Sequence, residues 1–305
     1  MKIAWLSDIH GNLPALQAVE ADLQREGVDV VVNLGDALSG PLLAQDTARW
    51  LMARTPTVTA TPAPGQPPWL HIAGNHERQL LAAARRLAHH QPPRGGPTDS
   101  DHLAAQQLDD TALAWVASLV PSTQAALHSG QWHTDLLGND VALCHGTPAD
   151  DLVYLLDTPE GDATVMATPA ELTERLGTCV PVHISLLACG HSHLPRHLTL
   201  ARPTGQTGHA GQKGQLAPLQ LINPGSVGLP AYDDDSPFPK SRYHRVENGS
   251  PDARYALTER TTAQPGWTVS LRSVPYDVEP MARLADRQGR PDWAHALRTG
   301  RMVRS

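Results

Sequence analysis

The chain has few cysteines, and their number and spacing exclude the small disulfide-stapled class of protein. Cys144, Cys179 and Cys189 are the only three among 305 residues, and no two of them form a Cys-x-x-Cys pair. This usage favours a reducing compartment, so we expect a cytoplasmic protein. Cys144 and Cys189 lie in apolar runs, and we expect both to be buried.

The chain also lacks an excess of basic residues and a long apolar run. Its formal net charge is −7, so nothing indicates an electrostatic nucleic-acid partner. No uninterrupted apolar stretch approaches the roughly 20 residues that cross a bilayer. The four apolar residues after Lys2 are too few for the core of a signal peptide. We therefore expect no membrane partner, while the oligomeric state is left open.

Through the first hundred residues, segments that favour strands alternate with segments that favour helices. Residues 28–36 form a β-branched run typical of a strand buried on both faces. Apolar residues at helical spacing from 13 to 23 predict a helix that stops at Gly27. This alternation indicates an α/β architecture with right-handed crossovers.

Two helix starts are marked by their local sequence. Asn12 precedes the first helical pattern and is a good N-cap residue. Thr168, Pro169 and Glu171 match a capping box with proline at the first helical position. Both features predict where a helix begins.

The second half of the chain is richer in strand-like segments, and no repeat or clear linker interrupts it. We expect a single domain over residues 1–305, with a motif-bearing core to about 250 and a strand and helix extension over about 251–305. The specificity segments at 54–68, 91–130 and 202–218 give no readable signal. Within the second of them, residues 91–101 are a proline- and glycine-rich loop and helix-like residues follow. We expect the acidic run at 233–235 to form a solvated turn.

Polar residues follow five apolar runs directly, in the stretches SDIHG, LGD, AGNH, LCHG and CGHSH. Ligands bind beyond the carboxyl ends of strands in open α/β sheets. Residues i and i+2 of an extended segment also project to the same side. We therefore expect one cluster of side chains, formed by Asp8, His10, Asp36, Asn75, His76, His145, His191 and His193.

Each pair alone is weak evidence for a metal site. With 16 histidines in the chain, one Asp-x-His and one His-x-His are expected by chance. A capped strand end is then the simpler explanation for Asp8 and His10. Gly-Asn-His is much rarer by chance, and the ordered set of five strand ends carries the interpretation.

This ordered set resembles the calcineurin-like metallophosphoesterase superfamily, and within it a compact bacterial phosphodiesterase-like branch. The family pattern is D-x-H, G-D, G-N-H-[D/E], a histidine that ends a strand, and G-H-x-H. No ligand position of the pattern is missing. Ser192, where the branch usually has threonine, is the one small departure, and it faces away from the histidine pair. The stretch INPGSVGLP (222–230) resembles the end of that branch's core.

The resemblance implies a four-layer α/β/β/α sandwich of two mixed sheets flanked by helices. It also implies a hydrolase that cleaves a phosphodiester or phosphomonoester by attack of a hydroxide that bridges two divalent cations. Mn²⁺ is favoured among Mn, Fe, Zn and Ni, because the ligands mix imidazole with carboxylate. The first cation would be bound by Asp8, His10, Asp36 and His193, and the second by Asp36, Asn75, His145 and His191.

The resemblance gives His76 a separate, catalytic role at the transition state or the leaving oxygen. A nearby acid would orient it: Asp8, Asp36 or a carboxylate that the motifs do not identify. Arg78, Arg196 and Ser226 are weaker candidates for substrate binding because they adjoin the motifs.

Two alternatives to this phosphohydrolase remain open from the sequence. Glu77 directly after Gly-Asn-His is a feature of a protein phosphatase. A non-catalytic interaction scaffold on the same fold is the other alternative, although such scaffolds tend to lose a ligand or the histidine after asparagine.

Overall fold

The structure is a computed structural model that describes residues 1–56, 66–122, 134–178, 180–201, 218–234, 243–264 and 266–304. A six-stranded mixed sheet combines strands from the first part of the chain with two strands from residues 253–274. Its strands are β1 (Lys2–Leu6), β2 (Val30–Asn33), β3 (Trp69–Ala73), β4 (Val120–Pro121), β13 (Ala253–Glu259) and β14 (Thr268–Val274). The order is β14-β13-β1-β2-β3-β4, and β1 to β4 run parallel while β13 lies antiparallel to β1.

A four-stranded mixed sheet is built from the middle of the chain. It contains β5 (Val141–Leu143), β8 (Leu186–Ala188), β9 (Pro195–Leu200) and β10 (Leu219–Pro224). The order is β5-β8-β10-β9, with only the β10–β9 pair antiparallel. Two hairpins lie outside these sheets: β6 (Asp157–Glu160) with β7 (Ala163–Met166), and β11 (Ala231–Asp234) with β12 (His244–Glu247).

Nine helices lie in the described part of the chain. They are α1 (Leu13–Glu26), α2 (Ala44–Met52), α3 (Asn75–Ala88), α4 (Ser100–Ala105), α5 (Asp110–Ser118), α6 (Thr134–Leu137), α7 (Pro169–Leu176), α8 (Glu279–Arg287) and α9 (Pro291–Thr299). None of these helices combines the length and apolar composition needed to span a membrane.

β1 shows how a central strand serves two apolar layers at once. Ile3 and Trp5 join the cluster between the two sheets, whereas Ala4 and Leu6 join the cluster beneath the helices. This follows from the period of two along a strand. Helix side chains complete the outer layer on this side, among them Leu16, Val19, Leu51, Leu80 and Val116.

The second sheet is covered on its outer face by α7, through Leu172 and Leu176. Its inner face contributes Leu143, Leu186 and Ile222 to the cluster between the sheets. The order of layers is therefore helix, sheet, sheet, helix. This confirms the predicted fold class of two mixed sheets flanked by helices.

Local signals start the helices where the sequence predicts. The side-chain Oδ1 of Asn12 accepts a hydrogen bond from the backbone N–H of Ala15 at 3.3 Å, and Gly27 ends α1 with a φ of 65°. The capping box of α7 forms, with Thr168 Oγ1 accepting from the backbone N–H of Glu171 at 3.3 Å. Cys144 and Cys189 are buried, as expected from their apolar surroundings.

Several elements differ from the sequence-based expectations. Residues 91–101 read as a loop, but α4 begins at Ser100. Asp233 and Asp234 read as an acidic turn, but they lie in β11, because pairing with β12 outweighs their low strand propensity. Residues 57–65 and 202–217, which make up most of two predicted loops, lie outside the described residues.

Candidate metal centre

Five side chains at the strand ends share an unusual backbone conformation. Non-glycine residues rarely adopt a left-handed φ, and such strained positions cluster at functional sites. Here the left-handed φ aims the polar side chain of each residue into the space between the two sheets' carboxyl ends. The φ angles are 55° at Asp8, 51° at His10, 54° at Asp36, 69° at His191 and 55° at His193.

The polar side chains at the strand ends form two adjacent groups that could hold metal ions. Asp8, His10 and His193 bring one ligand atom each to within 4.8 Å of one another, and so do Asp36, His145 and His191. The two groups are in contact, since Asp8 Oδ1 lies 4.0 Å from Nε2 of His145. The seven predicted ligand positions, spread over 186 residues, thus converge.

Asn75 completes the second group. Its Oδ1 lies 3.0 Å from Nε2 of His145, and Oδ2 of Asp36 lies 3.0 Å from the same nitrogen. Asn75 begins α3, directly after the loop that leaves β3. The start of α3 therefore places its amide oxygen beside the ligand atoms from β2 and β5.

Three of the histidines are fixed so that Nε2 points into the cluster. In each case Nδ1 lies within hydrogen-bond distance of a backbone carbonyl, which can only accept. Nδ1 therefore carries a proton, and in the neutral ring Nε2 carries a lone pair. The pairs are His10 with Ser39 O at 2.9 Å, His145 with Leu34 O at 2.9 Å and His193 with Leu229 O at 2.7 Å.

This donor set fits a divalent cation. Nε2 of His10 lies 3.2 Å from Nε2 of His193, and both nitrogens present lone pairs. Oδ1 of Asp8 is buried, lies 3.3 Å from Nε2 of His193, and has no hydrogen-bond partner among the described residues. Lone pairs that converge in a buried place without donors are stabilised by a positive ion. Imidazole and carboxylate together suit Mn²⁺, Fe²⁺ or Zn²⁺.

The electrostatics keep two of the imidazoles and both aspartates in their ligand forms. Burial lowers the pKa of His10 to about 3 and that of His191 to about 4, so both imidazoles are neutral. Burial alone would raise the pKa of the acids, but nearby histidines outweigh it. His193 lowers the pKa of Asp8 to about 2, and His145 holds that of Asp36 well below its usual range. His145 differs, because Asp36 outweighs burial and raises the pKa of His145 to about 9, so this ring must lose a proton when a cation binds.

His76 stands apart from the metal-ligand groups and has its own carboxylate partner. Its Nδ1 lies 3.0 Å from Oδ1 of Asp101 in α4. Burial opposes its charged form, but the carboxylates of Asp101 and Asp36 outweigh burial and raise the pKa of His76 to about 10. Of the partners that the sequence offered, Asp36 contacts His76 only through the backbone, since Oδ1 of Asp36 accepts the N–H of His76 at 2.9 Å.

Glu77 has a role that the motif does not reveal. Its carboxylate accepts backbone N–H groups from three residues: Gly74 at 2.7 Å, Asp36 at 2.8 Å and Ala37 at 2.8 Å. It thereby joins the loop after β2 to the start of α3. Burial and the nearby Asp36 raise the pKa of Glu77 to about 7, although the three donors act in the opposite direction.

A cavity of about 600 Å³ opens at this cluster. Its lining includes metal-ligand candidates and His76, which is 29% exposed at its side chain. Other walls come from β11 and from the C-terminal helices, through Tyr232, Arg290 and Trp293. No local sequence pattern marks these three residues, because each reaches the site by long-range packing.

The cavity does not include the three predicted substrate contacts. Arg78 has a 58% exposed side chain paired with Asp151 at 2.6 Å, and Arg196 pairs with Asp157 at 2.9 Å. Ser226 is buried, and its Oγ donates to the backbone carbonyl of Asp8 at 2.7 Å. The geometry gives the two arginines ion pairs outside the cavity and gives the serine a structural contact under Asp8.

Comparison with known proteins identifies the class. Residues 1–195 match the sequence model of the family described as calcineurin-like phosphoesterase. The match covers well over half of the chain, so the chain belongs to this family, whose members hydrolyse phosphoric esters. The family that the strand-end motifs resemble is thus confirmed. Among curated proteins, none matches the chain significantly.

Two solved structures are similar to the chain at low sequence identity. A metallophosphoesterase from Sphaerobacter thermophilus has a TM-score of 0.62 at 20% identity, over 98% of this chain and 100% of that one. A putative diadenosine tetraphosphatase has a TM-score of 0.42 at 12% identity, over 90% of this chain and 94% of that one. The first of these similarities establishes the fold over nearly the whole chain.

Proposed function

We propose that the chain is a dinuclear metal-dependent phosphohydrolase that cleaves a phosphodiester or a phosphomonoester. The observation that carries the proposal is the pair of adjacent ligand groups at the strand ends. The first cation would be held by Asp8, His10, Asp36 and His193. The second would be held by Asp36, Asn75, His145 and His191, with Asp36 shared, and Mn²⁺ is the favoured ion.

When bound, two such cations would supply Lewis-acid charge to the phosphate and lower the pKa of a water molecule. The protein's own contribution to charge balance begins with Asp8 and Asp36, which stay ionised. Their negative charges, together with imidazoles in the neutral form, would balance the charge of two divalent ions in a buried place. The carbonyl contacts at Nδ1 hold the imidazole rings in the orientation that binding needs.

His76 would act on the leaving group as a general acid. Its Nδ1 faces Asp101, so Nε2 is the nitrogen left for a substrate in the cavity. A pKa of about 10 keeps the ring protonated at neutral pH. Nε2 can then donate its proton to the oxygen that departs from phosphorus.

Glu77 directly after Gly-Asn-His no longer favours a protein phosphatase, because the residue has a structural role. Its carboxylate is occupied by three backbone donors, and Glu77 is not among the residues that line the cavity. The hydrogen bonds that join the loop after β2 to the start of α3 therefore explain why a glutamate stands at this position. A non-catalytic scaffold is disfavoured because His76 and its partner Asp101 are both present and in contact.

The test is turnover of an aryl phosphate monoester and of a bis-aryl phosphate by metal-depleted protein, before and after addition of Mn²⁺. The proposal expects hydrolysis of at least one of them only after addition. Asp36→Asn should fail to respond, since it removes the shared ligand. Activity that is unaffected by metal depletion, or absent after addition of Mn²⁺, Fe²⁺ and Zn²⁺ in turn, would overturn it.

A further inference from the structure

We propose that Arg290, from the C-terminal segment, is a positioning residue that holds Asp101 and through it His76. The inference rests on the proposed function in one respect, namely that His76 is the catalytic acid. Arg290 lies 189 residues after Asp101 and beyond the 195 residues that match the family. It would make the C-terminal helices part of the catalytic machinery.

The guanidinium of Arg290 donates hydrogen bonds in two directions, to three residues in all. Nε and Nη2 donate to the carboxylate of Asp292, with the shortest contact at 2.6 Å. Nη1 points the other way and donates to Oγ of Ser100 at 2.7 Å and to the carbonyl of Thr98 at 3.2 Å. The rigid fork of an arginine thus ties α9 to the residues that lead into Asp101.

The segment around Asp101 needs such a support. α4 has six residues, and a helix this short does not hold its own position. Its start is fixed by Asp99, whose side chain caps the backbone N–H of His102 at 2.9 Å, and by the carbonyl of Ser100, which accepts from Gly40 N at 3.1 Å. Arg290 adds the only side-chain contact to Ser100 among the described residues.

Trp293 anchors the arginine's helix against the metal-ligand candidates. Its ring centroid lies 5.7 Å from that of His10, and a Cβ on Gly40 would come within 2.4 Å of its ring. Trp293 is 6% exposed and belongs to the cluster of α8 and α9 with β11. The start of α9 is therefore fixed, and Arg290, the residue directly before α9, transmits that fixed position to α4.

Hydrogen bonding to Asp101 decides which way the His76 ring faces. If Ser100 moves, Asp101 moves with it, and the contact of 3.0 Å to Nδ1 is lost. The ring can then rotate away from the leaving oxygen. We expect this to reduce kcat while KM changes little, because ground-state binding of phosphate depends on the metal ions.

The experiment compares Arg290→Ala, Arg290→Lys and the control Arg298→Ala in the metal-loaded protein. Arg298 lies on the same helix, carries the same charge, and pairs with Glu279 and Asp286 away from the cavity. Arg290→Ala should lower kcat about tenfold with KM within about twofold and two metals retained. Arg290→Lys should recover part of the loss, and Arg298→Ala should match wild type.

A double-mutant cycle separates positioning from general loss of stability. In an Asp101→Ala background, Arg290→Ala should change kcat by less than about twofold, since its target is already gone. A tenfold loss in that background as well, an equal loss in Arg298→Ala, or no loss in Arg290→Ala would each overturn the proposal.

A second readout does not depend on activity. The proton on Nδ1 of His76, hydrogen-bonded to a carboxylate, should give a downfield ¹H resonance in the wild-type protein. The signal should persist in Arg298→Ala and disappear in both Arg290→Ala and Asp101→Ala. If no ester is hydrolysed but this pattern holds, the proposed function fails and the positioning role stands; a signal unchanged in Arg290→Ala overturns the positioning role.

Discussion

Nε2 of His10 and Nε2 of His193 lie 3.2 Å apart, although 183 residues separate them in the chain. Each ring donates its Nδ1 proton to a carbonyl, so when both rings are neutral neither Nε2 can donate to the other. Two facing lone pairs repel each other, whereas a cation between them would be bound by both nitrogens. This pair therefore links the fold directly to metal binding.

Replacing His193 tests the first of the two proposed ion sites. His193→Ala should lower the number of bound metals from about two to about one per chain, because the second site keeps its own ligands. The matched control is His197→Ala, which removes an exposed histidine of β9 four residues later. Metal analysis of the purified variants measures the number of ions bound per chain. Two retained metals in His193→Ala would contradict the assignment.

His76→Ala separates catalysis from metal binding. The variant should keep both metals, because its ring faces Asp101 and is no member of either ligand group. Its kcat should fall about 100-fold or more with the loss of a general acid. Kinetics and metal analysis on one preparation give both answers. Loss of metal with little loss of turnover per bound metal would show that His76 is a ligand instead.

Glu77→Gln should destabilise the protein without removing the side chain of a proposed metal ligand. The amide nitrogen of glutamine would face backbone N–H donors in a buried site, at a cost of about 1–3 kcal/mol. Denaturant unfolding of the metal-free protein measures this, with the exposed Glu174→Gln as control. Equal stability of the two variants would mean that Glu77 does not join β2 to α3.

Much of the candidate site could be predicted from the sequence because its residues are local to strand ends. Asp8 and His10, like His191 and His193, directly follow strands whose carboxyl ends meet. The expected extended segment is wrong in detail, because a left-handed backbone aims each of these side chains. Asp101 could not be predicted as the partner of His76, since α4 is placed by packing against α3 and not by its own sequence. Trp293 and Arg290 reach the site through helices docked from the far end of the chain.

The fold class could be predicted from the sequence. The strand order and register could not, because they depend on pairing between distant segments. β13 inserts beside β1, so residues near 255 complete the sheet that the first residues begin. The register of such a pair is set by burial of both faces, which no local window of sequence contains. For the same reason β11 and β12 form a hairpin where the aspartates alone indicate a turn.

Helix α7 gives a prediction on pH. Hydrogen bonds from the backbone and hydroxyl of Thr168, and from Thr158, lower the pKa of Glu171 from 4.5 to about 2. An acid whose pKa is lowered by folding stabilises the folded protein at pH values above its ordinary pKa. This contribution is lost as pH falls from 4.5 towards 2. The Tm difference between wild type and Glu171→Gln should therefore shrink over that range. A constant difference would contradict the assignment.

The central claim is that two divalent cations occupy the strand-end cluster. The most direct test is metal analysis of the full chain purified without chelators and then equilibrated with Mn²⁺ and desalted. We expect about two ions per chain in the wild type and fewer than one in Asp36→Asn, because this substitution removes the shared ligand. Less than one ion per wild-type chain, or an equal count in Asp36→Asn, would contradict it.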